Sequence, residues 1–231
     1  VFALTTVAPI YPLYIRDEKG NIMYNSTTGL KSYDYGDGLI NGVLRPYIQQ
    51  ANPLCSNQLD TNESEGNSVN AIGFAEVRFL KDFKFTSTNS VSSEETRYTT
   101  TTNPWFGQYA SQNGAITVEH DRTWSYNYQQ LLTWHHQFDL HEVDAMLGHE
   151  YYRRRYYVLY GDKTNMYTFP SNDMASAVNT GSTNSYRNDY NTEGWFGRIQ
   201  YNYDQKYFAS MSYRRDASSR FAPENRWGNF W

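Results

Sequence analysis

Trp195-Phe196-Gly197-Arg198-Ile199-Gln200-Tyr201-Asn202-Tyr203 alternates in character, breaks at Asp204-Gln205-Lys206, and resumes as Tyr207-Phe208-Ala209-Ser210-Met211-Ser212-Tyr213. The second segment runs straight into Arg214-Arg215-Asp216-Ala217-Ser218-Ser219-Arg220-Phe221 and then Asn225-Arg226-Trp227-Gly228. A period of two on both sides of a short polar break predicts an antiparallel hairpin. Long, aromatic-studded strands that feed directly into a polar loop are the unit from which transmembrane β-barrels are built.

The same grammar extends upstream. From Asn70 the period is two, with Ala71, Gly73, Ala75, Val77 and Phe79 set against Ile72, Phe74, Glu76 and Arg78, and the chain turns at Leu80-Lys81-Asp82-Phe83. Trp124, Tyr126, Tyr128, Leu132 and Trp134 share one face of the clearest strand, opposite Ser125, Asn127, Gln129, Thr133 and His135. Asp139-Leu140 reverses it into a partner strand that includes Val143, Ala145 and Leu147 and continues to about Tyr160. Short reversals near 82, 140 and 205 alternate with polar excursions near 88–122, 161–192 and after 214, as tight periplasmic turns alternate with long external loops. Residues 161–192, rich in Asn, Thr, Ser, Asp and Gly, read as loop. Residues 1–69 read as an irregular extracellular-loop region, in which Val1–Val7 could close a helix or strand and Gly36-Asp37-Gly38 marks a turn. Residues 70–231 read as antiparallel barrel strands with long external loops. In this arrangement Leu132, Ala145, Leu147, Ile199 and Met211 face lipid.

Composition narrows the function classes. The 231 residues include 22 Tyr and 6 Trp, an excess that suits surfaces apolar at one end and wet at the other. A net charge of −4 with no basic stripe argues against nucleic acid. No apolar run is long enough for a spanning helix, which leaves a spanning barrel open. Cys55 is the single cysteine, so no internal disulfide forms. Val1–Ile15 lacks the basic start and small-residue cleavage site of a signal peptide. The chain reads as a piece of something longer.

The string Arg214, Asp216, Ser218, Ser219, Arg220, Phe221, followed by Asn225, Arg226, Trp227 and Gly228, closely resembles a recurrent stretch of SusC/RagA-type TonB-dependent transporters, with Ala217 where glycine is more usual. Ala51-Asn52-Pro53-Leu54, Phe79–Phe85, His141–Glu150 and Pro9–Tyr14 with Arg16-Asp17 and Gly20-Asn21 are similar to the same family, in family order. The resemblance implies a 22-stranded transmembrane barrel, of which this chain is a middle slice without the plug and the TonB-contacting segment. It also implies a SusD-like surface lipoprotein as lid, energy from the TonB complex through the missing N-terminal part, outer-membrane lipid and lipopolysaccharide around the wall, and oligosaccharides or peptides as cargo. The alternative is a secreted all-β glycan-binding module presenting Tyr and Trp platforms.

Sites of chemistry are not expected. His135 and His136 point to opposite strand faces and no spacing matches a zinc signature, so no metal or other cofactor is assigned. Paired carboxylates, a nucleophile elbow and a phosphate-cradling glycine loop are all missing, which argues against an enzyme. Arg153-Arg154-Arg155 are expected to meet lipopolysaccharide phosphates or the lumen rim. Arg214, Asp216 and Arg220 are expected to form a buried ion-pair network, and Trp105, Phe106 and Tyr109 either stack on substrate or pack the loop.

Overall fold

The computed structural model describes residues 7, 9–36, 38, 42, 44–46 and 51–231. Expectations for Val1–Thr6 and Asp37 lie outside the described residues. Seven strands form one antiparallel sheet in chain order: β1 (Thr61–Phe79), β2 (Phe83–Thr102), β3 (Ala115–Phe138), β4 (His141–Met166), β5 (Ala177–Tyr203), β6 (Tyr207–Ser218) and β7 (Trp227–Phe230). A sandwich would need a second sheet, whereas every described strand of this list joins the same one. The sheet is open, with β1 and β7 as its edges.

Turn chemistry explains the up-and-down order. Leu80 and Lys81, Asp139, and Asp204 and Gln205 all have φ between 47° and 63°, the left-handed backbone of tight hairpins. The β2–β3, β4–β5 and β6–β7 connections at the other strand ends are longer. β3, β4 and β5 run 24, 26 and 27 residues, whereas crossing a bilayer takes only ~9–11 tilted residues. In a sheet that crosses a bilayer, such excess length lies outside the hydrocarbon. The polar segments 161–166 and 177–192 belong to it: they are strand, not the loop that their composition suggested. A strand wet on both sides needs no alternation, so its period is invisible in the sequence.

Alternation does sort the two faces where the sheet crosses. Ile199 pairs with Met211, Gly197 with Tyr213 and Tyr201 with Ala209 on one face, while Gln200 pairs with Ser210 and Arg198 with Ser212 on the other. Phe83, Leu132, Trp134, Ala145 and Leu147 join Ile199 and Met211 around an apolar depression of about 690 Å³. Ile199, Met211 and Leu147 are 57%, 73% and 54% exposed, an apolar surface that water would not tolerate but lipid matches.

The chain divides into two compact units, to both of which β1–β5 contribute. One comprises Gly66–Thr96, Asp121–Val158 and Ser185–Trp231 and holds the two-faced sheet. The other comprises Val1–Glu65, Arg97–His120 and Leu159–Asn184 and carries the β2–β3 and β4–β5 connections. In this second unit a short helix, α1 (Pro53–Leu59), starts where Asn52 Oδ1 accepts from Cys55 N at 3.1 Å and Pro53 occupies the first turn. The Asn52-Pro53 pair is thus a helix-start signal.

Cys55, Tyr33, Tyr35 and Phe106 form a buried cluster against α1. Gly107, at φ 84°, brings its backbone against the Tyr35 ring so closely that a side chain would collide. Burial, opposed by a hydrogen bond with Tyr35, pushes the Cys55 thiol from 9.0 up to about 11. Because the folded value lies above the unfolded one, the stability that Cys55 contributes is full below the unfolded value and falls as pH rises past it. Iodoacetamide at pH 8 is therefore expected to modify Cys55 only after denaturation; rapid labelling of the native protein would contradict the buried, protonated thiol.

Candidate functional site

The signature residues sit on and just beyond β6, in the two-faced unit. Arg214 and Asp216 lie two apart on the polar face, and Arg214 Nε donates to Asp216 Oδ2 at 2.7 Å while Arg214 reaches Glu150 at 3.5 Å. Gly194, the register partner of Asp216, leaves room for this pair: a Cβ there would come 2.5 Å from Asp216 Oδ1 and 3.0 Å from Arg214 Nη2, so the ends of both side chains would have to shift. The Phe196 ring covers Gly148 and carries the Arg214 guanidinium 5.2 Å from its centroid. The expected network is corrected in two respects. Arg214 and Asp216 side chains are 45% and 35% exposed rather than buried, and Arg220 stands apart, 5.2 Å over the Tyr190 ring. Arg220 follows the strand and turns with the loop, so it cannot continue the alternation that aligns the other two.

The remaining signature residues close the loop. Ser218 N donates to Arg226 O at 3.1 Å, Ser219 N donates to Asn191 O at 2.9 Å, and Ser219 Oγ accepts from Asn191 N at 2.9 Å. Ser219 so extends the ladder to β5 by one residue past β6. Phe221 N donates to Ser218 O, Arg226 Nε donates to Phe221 O, and a short helical turn at Pro223–Asn225 brings Trp227 under the Arg215 guanidinium at 4.9 Å. Gly228 pairs with Asp216 in β7 and has the Phe230 ring beside its Cα.

The aromatic trio of the β2–β3 loop is split. Asn103, 1% exposed, accepts through Oδ1 from the backbone N–H groups of Trp105 and Phe106 and donates to Asp60 Oδ1 at 2.8 Å, which holds the loop start. Phe106 is turned into the Tyr33 cluster at 6% exposure and packs edge-on to Tyr33. Trp105 is 36% exposed, stands edge-on to Phe169 at 5.3 Å, and borders a depression of about 610 Å³ with Leu30, Gln58, Leu59 and Pro170. Tyr109 is half-buried. Sequence alone gave no reason to separate Phe106 from Trp105, since the burial depends on α1 and Tyr33.

The polar face also assembles His135, Glu142 and Asp144, whose ligand-type atoms lie within 4.8 Å of one another. His135 Nδ1 already bonds Asp144 Oδ1 at 2.8 Å. The grouping follows from pairing across the Asp139-Leu140 turn, which sets residues equidistant from the turn side by side. Of the three arginines, Arg154 stacks over Tyr156 at 5.3 Å and Arg155 lies 4.0 Å from Asp189. Alternation sends Arg153 and Arg155 to the face of Leu147 and Arg154 to the other.

No family model matches the chain. It is 28% identical over 214 residues to the TonB-dependent receptor SusC of Bacteroides thetaiotaomicron, covering 89% of this chain and 20% of that protein. It is 24% identical over 181 residues to TonB-dependent receptor P3 of Formosa agariphila, covering 78% of this chain and 18% of that one. Among solved structures, the RagAB peptide transporter superposes with a TM-score of 0.72 at 21% identity over 87% of this chain and 22% of that one. The RagAB peptide importer in its open-open state gives 0.70 at 19% identity over 92% and 22%. The chain spans about a fifth of the length of the relatives it matches. In sequence and in fold it is similar to one stretch of the barrel wall of SusC/RagA-type TonB-dependent receptors, proteins of the bacterial outer membrane.

Proposed function

We propose that this chain supplies wall strands and external loops to a TonB-dependent importer of oligosaccharides or peptides. The observation that carries this reading is the sheet's division into an apolar face around Leu132, Leu147, Ile199 and Met211 and a polar face with Arg198, Gln200, Ser210, Ser212 and Arg214. Lipid takes the first and a hydrated lumen the second. In this reading residues 1–69 belong to the external loop region and residues 70–231 to the wall. A SusD-like lipoprotein covers the external mouth, and the TonB complex acts through a plug that other parts of the transporter supply. Arg214 and Asp216 face the lumen, where Arg214, oriented by Asp216, ties β6 to β5 through the Phe196 ring and to β4 through Glu150. The chain contributes no bond-making chemistry; the receptor names of its relatives point the same way.

Trp105 offers an aromatic edge beside an open depression, and Tyr109 lies near it on the same loop. In the full-length transporter, Trp105→Ala is expected to weaken cargo capture roughly three- to tenfold, the scale of one aromatic contact. Phe106→Ala is expected to act instead through loop stability. Uptake of labelled oligosaccharide and peptide pools by cells carrying the full-length protein, with and without a working TonB complex, tests the reading. Accumulation independent of TonB would overturn it.

A further inference from the structure

Along β4 beyond Leu147, the lipid-side positions become His149, Tyr151, Arg153, Arg155 and Tyr157. First comes an aromatic belt: Tyr128 stacks on Tyr151 at 5.6 Å, Tyr126 contacts Tyr151 at 5.8 Å, and His149 packs on Trp195 at 4.1 Å. Next comes charge. Arg122, Arg155 and Arg187 line a depression of about 520 Å³ with Trp124 and Tyr157. Their acidic neighbours are Glu95, 3.3 Å from Arg122, and Asp189, 4.0 Å from Arg155. Arg187 has its guanidinium 6.0 Å from the Tyr157 ring, and the buried Nε of Arg153 has no hydrogen-bond partner among the described residues. Four guanidinium groups against two carboxylates leave this part of the face positive.

We propose that this arginine patch binds the phosphate groups of a phosphorylated glycolipid headgroup in the outer leaflet. The inference rests on the barrel-wall reading, which puts this face toward lipid. The order apolar belt, aromatic belt, guanidinium patch follows the order acyl chain, interface, phosphate in a lipid leaflet. Arginine's planar fork suits phosphate, and Arg122 and Arg155 are 56% and 54% exposed, so their donors are accessible. A free anion would use the guanidiniums alone. A glycolipid also covers the apolar depression at Leu132 and Leu147 on the same face, which favours the lipid.

The test uses the full-length transporter in detergent, with native mass spectrometry of bound bisphosphorylated lipid A, the same lipid without phosphates, and inorganic phosphate as competitor. The phosphorylated lipid is expected to bind at least roughly tenfold more tightly than its dephosphorylated form, and the preference is expected to vanish in Arg122→Gln/Arg155→Gln/Arg187→Gln. Arg154→Gln, on the opposite face, is expected to keep it. The single Arg187→Gln variant, expected to lower the preference without removing it, replaces the triple variant if that one fails to assemble. Equal binding of both lipids, an unchanged preference in the variants, or displacement of the lipid by inorganic phosphate at equal concentration would overturn the proposal. A lipid-restricted label at Met211 separates the two failures: labelled Met211 with phosphate-blind binding sinks only the arginine patch, whereas unlabelled Met211 sinks the wall reading itself.

Discussion

Met211→Arg in the full-length transporter is expected to cost about 2–4 kcal/mol of folding stability in a bilayer, less if the site lies near an interface. Its neighbours Ser210→Arg and Ser212→Arg are expected to be close to neutral. The contrast arises because Met211 pairs with Ile199 on the apolar face, while Ser210 and Ser212 pair with Gln200 and Arg198 on the polar one. An arginine among Leu132, Leu147 and Ile199 has no carboxylate to meet and must draw water or headgroups into the hydrocarbon. Urea unfolding in vesicles, followed by the gel shift between folded and unfolded barrel, reads the difference. Equal losses at 210, 211 and 212 would mean that the two faces meet the same solvent.

Arg45→Ala is expected to be the most damaging single change among the loop residues, at about 3–5 kcal/mol of local stability. The Arg45 and Asp34 side chains are 4% and 10% exposed and lie 3.0 Å apart. Arg45 also donates to Asp34 O at 2.6 Å, Ala51 O at 3.0 Å and Pro12 O at 3.3 Å, so one guanidinium ties together three segments. Removing it leaves Asp34 buried without its counter-charge and takes a donor from the Ala51 and Pro12 carbonyls. Asn52 would still donate to Asp34 O and, together with Asp34 N, to Leu13 O. Limited proteolysis is expected to cut within residues 9–51 of the variant and to spare β2–β6. Wild-type resistance in that segment would contradict the structural role given to the pair.

How much of this was legible beforehand depends on how each element is held. The hairpin at Asp204-Gln205-Lys206 was, because tight turns need polar residues that tolerate positive φ and the strands beside it bury one face in a different medium from the other. Residues 177–192 were not, since both faces of that part of β5 are wet and nothing selects apolar residues at every second position. The onset of β1 at Thr61, ahead of the alternation that starts at Asn70, escaped for the same reason. Helix α1 is only 7 residues long, and its marker, Asn52-Pro53, reads equally well as a turn. The signature string was legible as a pattern, but its work was not: Ser219 bonding Asn191, and Gly194 making room for Arg214 and Asp216, rest on strand register. The burial of Phe106 depends on contacts with distant parts of the chain, which carry no local signal.

The central claim is that one face of this sheet meets lipid and the other a hydrated lumen. The most direct measurement places a cysteine in turn at Leu132, Leu147, Ile199 and Met211, and at Thr133, Gln200 and Ser210, in the full-length transporter reconstituted into vesicles. Each is challenged with a photoactivatable reagent confined to the hydrocarbon and with a charged, water-soluble thiol reagent. The first four positions are expected to take the hydrocarbon reagent and resist the charged one, and the last three to do the reverse. Labelling of all seven by the same reagent, or an inverted pattern, would contradict the barrel-wall account.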